Sequence, residues 1–411
     1  MTKDSKKVVL WQAQDNAERS RSIEEVLAKG VEKILPSKEG LLRLMKKRKI
    51  RLYLGIDPTS PQLHLGHAIP LRKLREFQEL GHEAILLFGT FTAQIGDPSG
   101  RDEKRKPLTP AQIEKNMATY KEQASKILDL SKVKIKYNAD WLAKLTFTEL
   151  AKLASYFTTS RLLERDMFQR RLKKGEEVWL NELLYPLMQG YDSVAMDVDL
   201  EIGATDQTFN MLMGRKLQRI YNKKEKFVLS TPMLVGLDGR KMSKTYGNTV
   251  NITDPPNEMY GKLMSSKDEL IIDYFKLCTD LPLAEILEIE KKLKRKEVNP
   301  KEAKAKLARE IVKIYHGEKA AKEAEKEFER IFKEKKLPKK IPEMKIKEKS
   351  LNILDLLLKT KLVSSKSEAK RLVLQKAVEI DRVLKKDWGE VIEIKKGMVI
   401  KVGKRRFVRL I

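Results

Sequence analysis

Apolar and polar positions along the first half of the chain repeat in two different periods, one typical of strands and one typical of helices. They predict strands over residues 50–56, 83–89 and 133–137, and helices over 22–47, over 67–80 and from Thr109 onward, where Pro110 follows a capping threonine. Such alternation favours a parallel α/β sheet with right-handed crossovers. Ligands of these sheets bind at the carboxyl ends of the strands, where residues 53–57 and 89–97 fall.

The second half of the chain has a different pattern. From about residue 254 the strand signals vanish, and residues 257–333 are rich in Glu, Lys, Ala and Leu, which predicts a bundle of helices. Residues 333–349 carry two prolines and a dense run of lysine, which is typical of a linker. Beyond it we predict a small mixed module, with a basic helix over 367–375 and strands over 377–383 and 391–402 around a turn at Trp388 and Gly389.

The composition of the chain indicates what kind of partner it binds. The chain has 411 residues, a hydrophobic fraction of 41% and a formal net charge of +27, which indicate a globular protein with a polyanionic partner, nucleic acid above all. Residues 344–411 hold 19 Lys and Arg against 8 Asp and Glu, so the excess is concentrated in the tail. Ion-pair networks of a heat-adapted protein are the alternative explanation for the many charges, but RNA accounts better for the imbalance in sign.

The compartment follows from what the chain lacks. No apolar run reaches the length of a membrane span, and the polar N-terminus has no apolar region of a secretion signal. We therefore predict a soluble cytoplasmic protein without a membrane partner. The one cysteine, Cys278, excludes an internal disulfide and a zinc site built on cysteines, and we expect it to pack as a small apolar side chain.

Two short motifs carry candidate chemistry, and the first is His64-Leu65-Gly66-His67 at the predicted start of a helix. Backbone N–H groups and the helix dipole favour phosphate at such a point, and Gly66 lets a flat base approach the backbone. A helix cap or a zinc-binding pair are the alternatives for the two histidines. Thr59 in the preceding loop offers a hydroxyl to a phosphate, although an ordinary turn threonine fits the pattern equally well.

The second motif is Lys241-Met242-Ser243-Lys244-Thr245, which follows a turn over residues 237–240. Such a loop can close on a triphosphate. A pair of lysines without other motifs would be typical of a solvated surface, but the histidine motif favours the triphosphate site. A carboxylate that attacks the α-phosphate of ATP is already a nucleophile and needs no general base. It needs donors and cations that align the reactants and neutralise the developing charge, and these two motifs supply both.

Four further blocks accompany the two motifs: Tyr53-Leu-Gly-Ile-Asp-Pro-Thr59, Gly96-Asp-Pro-Ser-Gly100, Tyr185-Pro-Leu-Met-Gln-Gly-Tyr-Asp192 and Gly203-Ala-Thr-Asp-Gln207. Together they resemble the class I aminoacyl-tRNA synthetases, specifically the bacterial tyrosyl-tRNA synthetases, over nearly the whole chain. The resemblance implies an α/β fold class, with a Rossmann-like parallel-sheet catalytic domain followed by an α-helical domain and a small α+β RNA-binding module. It also implies a homodimer that activates L-tyrosine with ATP and Mg²⁺ to tyrosyl-adenylate and pyrophosphate, then transfers the tyrosyl group to the 3′ end of tRNA(Tyr), with no protein-bound metal.

The resemblance also implies roles for individual residues. It places Tyr53 and Asp192 at the phenol hydroxyl of the substrate, Asp97, Tyr185 and Gln189 at its ammonium group, and Asp57 and Gln207 beside the amino acid. It assigns ATP binding to Gly55, Gly66, Gly203, Asp206, Lys241 and Lys244, and catalysis to Thr59, His64, His67, Arg101, Arg105, Lys241, Lys244 and Thr245. Asn138 and Trp141 correspond to supporting positions. The alternatives are an ion-paired surface carboxylate for Asp192 and a solvated loop for the two arginines.

Spacing and physics support part of this assignment. Tyr185, Gln189 and Asp192 are spaced to lie on one face of a helix. Phenylalanine in the same pocket would leave a buried carboxylate and a buried hydroxyl without a partner, which is costly.

The tail resembles the RNA-binding module named for ribosomal protein S-four, through residues 364–372 and 402–407. The resemblance implies that tRNA phosphates are contacted by Lys366, Lys370, Arg371, Lys404, Arg405 and Arg406. A solvated basic helix is the alternative. We expect an N-terminal helical segment over 1–48, the catalytic domain over 49–253 with a dimer-interface insertion near 141–183, an anticodon-recognition domain over 254–332, a linker over 333–348 and the RNA-binding domain over 349–411.

Three other classes share part of the pattern. Nucleotidyltransferases that act on small acids share the histidine motif but lack the helical domain and the basic tail. Tryptophanyl-tRNA synthetases would not need the pair of Tyr53 and Asp192 and also lack the tail. An RNA-binding protein derived from a retired synthetase would have lost the histidines or the lysines, and this chain keeps both.

Overall fold

The computed structural model describes residues 22–99, 107–242, 246–332, 341–346, 348–403 and 406–411. The chain divides into two compact units: a larger one of Met1–Asp254 with Lys262–Glu318, and a smaller one of Pro255–Gly261 with Lys319–Ile411. Within the described ranges, no helix is long and apolar enough to cross a membrane.

A six-stranded sheet forms the centre of the larger unit. Its strands are β1 (Lys33–Leu35), β2 (Arg51–Ile56), β3 (Glu83–Phe88), β4 (Val133–Tyr137), β5 (Leu200–Ala204) and β6 (Phe227–Thr231), in the order β1-β6-β5-β2-β3-β4. Strands β2 to β6 run parallel, and β1 joins β6 antiparallel. The order reverses at β2, which lies between β5 and β3, so the loops leaving these strands diverge and open a crevice at their carboxyl ends.

Helices surround this sheet and connect its strands. Those up to the last strand are α1 (Ile23–Val26), α2 (Lys38–Lys47), α3 (Leu65–Glu79), α4 (Thr92–Ile95), α5 (Pro110–Met117), α6 (Tyr120–Ser125), α7 (Ala139–Leu142), α8 (Phe147–Ala154), α9 (Thr159–Leu163), α10 (Asp166–Lys173), α11 (Leu180–Met196) and α12 (Thr208–Tyr221). A 3₁₀ turn over Thr205–Gln207 precedes α12. The parallel α/β class and the three predicted strands are confirmed.

Two predicted helices differ from the structure. The helix over 22–47 is wrong in its middle, because Gly30 has a φ of +63° in the left-handed region and Pro36 cannot continue a helix. The residues between them form the edge strand β1, paired with β6. The helix that opens at Thr109 is capped as predicted, with the Thr109 side chain accepting from the Gln112 N–H, but it ends at Met117 and α6 follows as a separate helix.

Helices α11 and α12 pack closely because glycines lie at their crossing. A Cβ on Gly190 would lie 3.0 Å from the backbone nitrogen of Gly214. Helices α8 to α10 pack against this pair through an apolar cluster that includes Leu153, Phe168 and Leu187. This packing fixes the position of α11, and with it the face that carries Tyr185, Gln189 and Asp192.

Helices replace strands after residue 254, as predicted. They are α13 (Pro256–Met264), α14 (Ile271–Cys278), α15 (Leu283–Lys294), α16 (Pro300–His316) and α17 (Glu318–Phe332), with a 3₁₀ turn over Asp268–Leu270. Cys278 is 1% exposed at the end of α14, and burial raises the pKa of its thiol to about 12. It therefore packs as the small apolar side chain expected.

The smaller unit contains a second sheet. Its strands β7 (Glu343–Met344), β9 (Val378–Ile380), β10 (Val383–Lys385), β12 (Val399–Val402) and β13 (Arg406–Leu410) pair in the order β10-β9-β12-β13-β7, and β8 (Ser350–Asn352) pairs with β11 (Val391–Glu393). Helices α18 (Ile353–Lys359) and α19 (Lys366–Leu374) pack against it over a core of buried aliphatic side chains.

Three predictions for this region need correction. The strand over 377–383 is interrupted by a tight turn at Asp381 and Arg382, both at positive φ, and the strand over 391–402 is interrupted at Gly397. Residues 341–346 of the predicted linker hold β7, which pairs parallel with β13. The turn at Asp381 and Arg382 joins the hairpin of β9 and β10, whereas the turn at Gly397 connects β11 to β12, which belong to different sheets.

Candidate active site

The histidine motif lies beside the segment that follows the lysine motif. Residues 63–65 pair antiparallel with residues 250–252 through backbone hydrogen bonds of 2.9 and 3.0 Å. A Cβ on Gly66 would lie 3.6 Å from the sulfur of Met242. The structure therefore brings the start of the lysine motif to the start of α3. Ser243, Lys244 and Thr245 lie outside the described residues.

The two imidazoles are oriented by the start of the helix. Nδ1 of His64 accepts from the Gly66 N–H at 3.2 Å, and Nδ1 of His67 accepts from the His64 N–H at 3.3 Å. The rings stack with their centroids 3.8 Å apart. Because both Nδ1 atoms accept, each neutral ring carries its proton on Nε2 and presents an N–H donor there. The helix cap considered above is thus real, and it leaves the histidines with the donor character that phosphate requires.

A closed hairpin forms the stem of the lysine loop. Asp238 accepts from Nδ2 of Asn248 at 2.8 Å and from the backbone N–H of Arg240 at 3.0 Å. These bonds, the Asn248 bond foremost, lower the pKa of Asp238 to about 2. Asn248 also donates to the carbonyl of Lys241 at 3.1 Å, and a Cβ on Gly236 would lie 2.2 Å from its Nδ2. Lys241 therefore leaves a fixed stem.

Asp206 lies in the field of that lysine. Burial raises the pKa of Asp206 and the neighbouring charge of Asp97 raises it further, whereas the positive charges of Lys241 and Arg165 oppose the shift. Asp206 follows β5 in the 3₁₀ turn before α12. Gly203, at the end of β5, is packed so tightly that a Cβ would lie 2.9 Å from the sulfur of Met211.

Tyr53 and Asp192 are both buried, at 0% and 2% exposure. Asp192 accepts from Nε1 of Trp141 at 2.8 Å and from Nδ2 of Asn138 at 3.3 Å. Burial raises the pKa of the Asp192 carboxyl well above its ordinary value, against the effect of these two donors, and burial likewise raises the pKa of the Tyr53 hydroxyl. The alternative of a surface carboxylate at Asp192 is therefore wrong.

Asp57 joins two neighbouring loops. It accepts from the hydroxyl of Tyr185 at 2.8 Å and from the hydroxyl of Thr92 at 2.8 Å. A Cβ on Gly89 would lie 1.9 Å from Oδ1 of Asp57, so only glycine fits at the end of β3. Tyr185 is thereby oriented from the strand side of the crevice.

Asp97 is the centre of a second polar cluster. It accepts from Nε2 of Gln207 at 2.7 Å and from Nδ2 of Asn210 at 3.4 Å. Nδ2 of Asn210 also lies 3.0 Å from Oε1 of Gln189. The structure thus brings together Asp97, Gln189 and Gln207, three of the residues predicted to bind tyrosine.

Two residues of this cluster escaped the sequence analysis. Asn210 follows Gln207 by three residues, a helical spacing that was available as a signal. Arg165 comes from the segment predicted as an insertion; it is 7% exposed, donates to the hydroxyl of Ser99 at 2.7 Å and lies 4.8 Å from the ring of Phe209. Nothing in its local sequence points to the site.

The other predicted residues are placed as follows. Gly55 is in β2, and Thr59 is half-buried in the next loop, with its N–H donating to the carbonyl of Asp57 at 2.8 Å. Arg101 and Arg105 lie outside the described residues. Within the described ranges, no cluster of three or more His, Cys, Asp or Glu side chains could hold a metal ion.

The predicted RNA-binding residues lie in the smaller unit. Lys366, Lys370 and Arg371 are exposed on α19. The ammonium group of Lys370 lies 3.9 Å from the ring centroid of Trp388, and Arg406 pairs with Glu368 at 2.9 Å. Lys404 and Arg405 lie outside the described residues.

Comparisons with known proteins agree with this architecture. Residues 45–333 match the family model described as tRNA synthetases class I (W and Y), and residues 333–410 match the model of the tyrosine--tRNA ligase SYY-like C-terminal domain. The chain is 48% identical over 387 residues to the tyrosine--tRNA ligase of Thermotoga maritima, covering 94% of this chain and 96% of that one. It is 42% identical to the tyrosine--tRNA ligase of Aquifex aeolicus, covering 94% and 97%.

Solved structures show the same fold at low sequence identity. A C-terminally truncated mitochondrial tyrosyl-tRNA synthetase from Aspergillus nidulans superposes with a TM-score of 0.65 at 22% identity, over 80% of this chain and all of that one. A tyrosyl-tRNA synthetase from Archaeoglobus fulgidus, solved with L-tyrosine, superposes with a TM-score of 0.59 at 24% identity, over 73% and 98%.

Proposed function

The chain belongs to the tyrosine--tRNA ligases of the class I tRNA synthetase family, and on that premise we propose how its residues share the reaction. It is an aminoacyl-tRNA synthetase that uses ATP to activate L-tyrosine as tyrosyl-adenylate, releasing pyrophosphate, and then transfers the tyrosyl group to tRNA(Tyr). The observation that carries the residue assignment is the buried pair of Tyr53 and Asp192 at the floor of the crevice.

This pair reads the phenol end of the substrate. A phenol hydroxyl that reaches Asp192 adds a third hydrogen bond to those from Trp141 and Asn138, and Tyr53 supplies a second polar neighbour. Phenylalanine or tryptophan offers neither group this further hydrogen bond, and leaving buried hydrogen-bonding capacity unmet costs about 1–3 kcal/mol for each group.

The ammonium end lies at the second cluster. Asp97 supplies a negative charge, and Gln189 an amide oxygen, each already oriented by Asn210. Tyr185 adds its hydroxyl from α11, held by Asp57, and Gln207 lies beside the reacting carboxyl. The substrate is then fixed at both ends, and its carboxylate is held at the mouth of the crevice toward ATP.

ATP occupies the space between the histidine and lysine motifs. Gly55 and Gly66 give the nucleotide close approach to the backbone, Gly203 borders its ribose, and Asp206 accepts from a ribose hydroxyl. The Nε2–H groups of His64 and His67, the hydroxyl of Thr59 and the ammonium of Lys241 stabilise the negative charge that develops on the phosphates as the tyrosine carboxylate attacks and pyrophosphate leaves. Arg101, Arg105, Lys244 and Thr245 complete this set, and Mg²⁺ enters with ATP as part of the substrate.

A second copy of the chain completes the enzyme. Phe147 is 86% exposed, Leu180 is 71% exposed and Trp179 is 45% exposed, all on or beside the insertion that packs against α11 and α12. Apolar side chains this exposed in one segment favour burial against another surface. We assign them to a homodimer interface, which sedimentation analysis of Phe147→Asp tests by the appearance of monomers.

The tRNA is held by the C-terminal part. We propose a catalytic domain over 49–253, an anticodon-recognition domain over 254–332 and an RNA-binding domain over 349–411. Strand β7, in the linker predicted over 333–348, pairs with β13 of that last domain. Lys366, Lys370, Arg371 and Arg406 contact tRNA phosphates together with Lys404 and Arg405. We infer that the enzyme acts in the cytoplasm.

Amino-acid-dependent ATP–pyrophosphate exchange tests the proposal. We expect tyrosine to support exchange. We expect the kcat/KM of phenylalanine and of tryptophan to be at least about 100-fold lower, because neither supplies the hydrogen bonds that the phenol hydroxyl makes to Asp192 and Tyr53. Tyr53→Phe and Asp192→Asn should lower the ratio of kcat/KM for tyrosine over phenylalanine, while the KM for ATP stays near its normal value. Equal exchange with tryptophan, or an unchanged ratio in both variants, would contradict the assigned pocket.

A further inference from the structure

A buried ion pair lies beneath the proposed tyrosine pocket and has no role in the scheme above. Lys226, just before β6, is 0% exposed, and Glu201 on β5 is 1% exposed. The ammonium of Lys226 contacts Oε2 of Glu201 and donates to the carbonyl of Met211 at 3.0 Å. Removing two charges from water costs about as much as their attraction returns, so such a pair is weak evidence for a stabilising role.

The fold makes room for this lysine. A Cβ on Gly214 would lie 2.5 Å from Nζ of Lys226 and 2.6 Å from Oγ of Ser193. Glycine at this point of α12 therefore opens the channel through which the Lys226 side chain reaches α11.

Lys226 acts on the phenol end through one serine. Oγ of Ser193 accepts from Nζ of Lys226 at 2.8 Å and donates to Oε2 of Glu201 at 3.4 Å. The hydroxyl of Tyr53 lies 3.1 Å from the same Oγ. Either oxygen of the contact between Tyr53 and Ser193 can donate. When Ser193 gives its one proton to Glu201, Tyr53 donates to Ser193, and this sets the direction of the Tyr53 hydroxyl.

Glu201 also acts on the ammonium end. Its Oε1 accepts from Nε2 of Gln189 at 3.0 Å. With its NH₂ group on Glu201, the Gln189 amide turns its oxygen toward Asn210, on the side of the Asp97 cluster. The opposite amide orientation would present N–H donors to a substrate ammonium and repel it. One buried carboxylate thus fixes which end of Gln189 faces the substrate.

We propose that Glu201 and Lys226 are positioning residues for tyrosine, which orient Tyr53 through Ser193 and Gln189 directly, without touching the substrate. This inference rests on the tyrosine pocket of the proposed function. This role explains why Glu201 and Lys226 are charged, although an apolar pair of the same volume would stabilise the fold as well. It also makes the selectivity against phenylalanine depend on Ser193, Glu201 and Lys226 in addition to Tyr53 and Asp192.

The experiment compares two variants with a matched control in the full-length protein. The double variant Glu201→Gln with Lys226→Met removes both charges together, so that no unpaired ion stays buried. Ser193→Ala removes the relay to Tyr53 and leaves the ion pair intact. The control is Asp199→Asn with Arg48→Met, which removes a carboxylate 1% exposed at the amino end of the same strand, paired with Arg48 at 2.6 Å on the edge opposite the site.

The readouts are the KM for tyrosine, the KM for ATP and the ratio of kcat/KM for tyrosine over phenylalanine in pyrophosphate exchange. We expect the double variant to raise the KM for tyrosine and to lower the ratio, each by about 10-fold. Ser193→Ala should lower the ratio by a similar factor with a smaller change in the KM for tyrosine. In both variants the KM for ATP should stay within about twofold of the value for the unmodified enzyme. In the control, all three readouts should stay within that range.

Tyr53→Phe separates this inference from the function beneath it. If Tyr53→Phe lowers the ratio while the double variant and Ser193→Ala both leave it within about twofold of the unmodified enzyme, the pocket stands and the positioning role is wrong. If Tyr53→Phe itself leaves the ratio unchanged, the pocket assignment falls first. Should the double variant fail to fold, Ser193→Ala decides the question alone, since it keeps both charges paired.

Discussion

Each polar group of the proposed tyrosine pocket is itself held by a second polar group. Asp192 is held by Trp141 and Asn138, and Tyr185 is held by Asp57. Such support fixes donors and acceptors before the substrate arrives, so that little reorganisation is needed when charge develops on the α-phosphate. Selectivity for a hydroxyl depends on this rigidity. A pocket that relaxed around phenylalanine could satisfy its polar groups in another way, and the cost of losing the phenol hydroxyl would disappear.

His82 makes the stability of the larger unit depend on pH. It is 6% exposed, its Nδ1 accepts from the N–H of Ile50 at 3.3 Å, and burial lowers its pKa from 6.5 to about 4. Between these two values the unfolded chain binds a proton that the folded chain excludes. Stability is therefore fully present above pH 6.5 and falls as the pH is lowered toward 4, by at most about 1.4 kcal/mol per unit.

We expect the unfolding temperature to drop further between pH 7 and pH 5 in the unmodified protein than in His82→Asn. Asparagine keeps an acceptor for Ile50 but does not titrate, so the carboxylates contribute equally to both proteins. Thermal unfolding followed by circular dichroism at the two pH values gives the comparison. Parallel losses in the two proteins would contradict this, because they would show that His82 takes up its proton at the same pH in the folded and the unfolded chain.

Sequence spacing predicted part of the site at this scale and missed the rest for a physical reason. Tyr185, Gln189 and Asp192 lie on one helix, so their shared face follows from the helical period. Lys226 and Glu201 lie 25 positions apart on neighbouring strands, and Arg165 reaches Ser99 from 66 positions away. Only the packing of separate elements brings such residues together.

The lysine loop shows how an element is held ready for a substrate. Its stem is fixed by Asp238, Gly236 and Asn248, and Lys241 lies at the end of this stem, where it pairs with Val235. A short rigid base limits where Lys241 can travel, which reduces the entropy lost when the loop closes on a triphosphate.

Asn248→Ala should therefore slow adenylate formation. Without the amide, Asp238 and the Lys241 carbonyl each lose a donor, and we expect kcat for pyrophosphate exchange to fall by about 10-fold with the KM for tyrosine little changed. Asn299→Ala, which removes the cap of α16, is the control for a general loss of stability. A rise in the KM for tyrosine with kcat unchanged would mean that the stem serves the amino acid and not the phosphates.

Elements were predictable where local pattern and tertiary context agreed. Strands β2 and β3 contain runs of apolar residues, β4 alternates apolar residues with lysine, and none of the three has a competing signal. Between Gly30 and Pro36 the apolar spacing fitted a helix, but the backbone at these two residues and pairing with β6 produced an edge strand instead. Apolar periodicity reports which side chains are buried, and a short strand of three residues offers too few positions to distinguish the two periods.

At the scale of the whole molecule, the proposed function assigns the two steps of the reaction to different units. The crevice lies in the larger unit, and the proposed tRNA-binding residues lie in the smaller one. In the proposed scheme, adenylate formation needs only the crevice, whereas transfer needs a tRNA bound by basic residues of the tail.

Deletion of residues 341–411 should separate these two activities. We expect pyrophosphate exchange with tyrosine to stay within about twofold of the full chain, and charging of tRNA to fall at least about 100-fold, because most proposed phosphate contacts are lost. The deletion begins before β7, so that the whole strand is removed. A deletion that began at residue 344 would leave Glu343, one of its two residues, in the shortened chain. Full charging by the shortened chain would place tRNA recognition elsewhere.

The central claim is that the histidine and lysine motifs act on one bound ATP, and a double-mutant cycle in pre-steady-state adenylate formation tests it most directly. The cycle compares His67→Ala, Lys241→Ala and the two combined. Residues that stabilise the same phosphates should couple by at least about 0.5 kcal/mol, so the combined loss should differ from the sum of the single losses. Additivity within about 0.3 kcal/mol would contradict the account, because it would mean that the two motifs do not meet at a shared ligand.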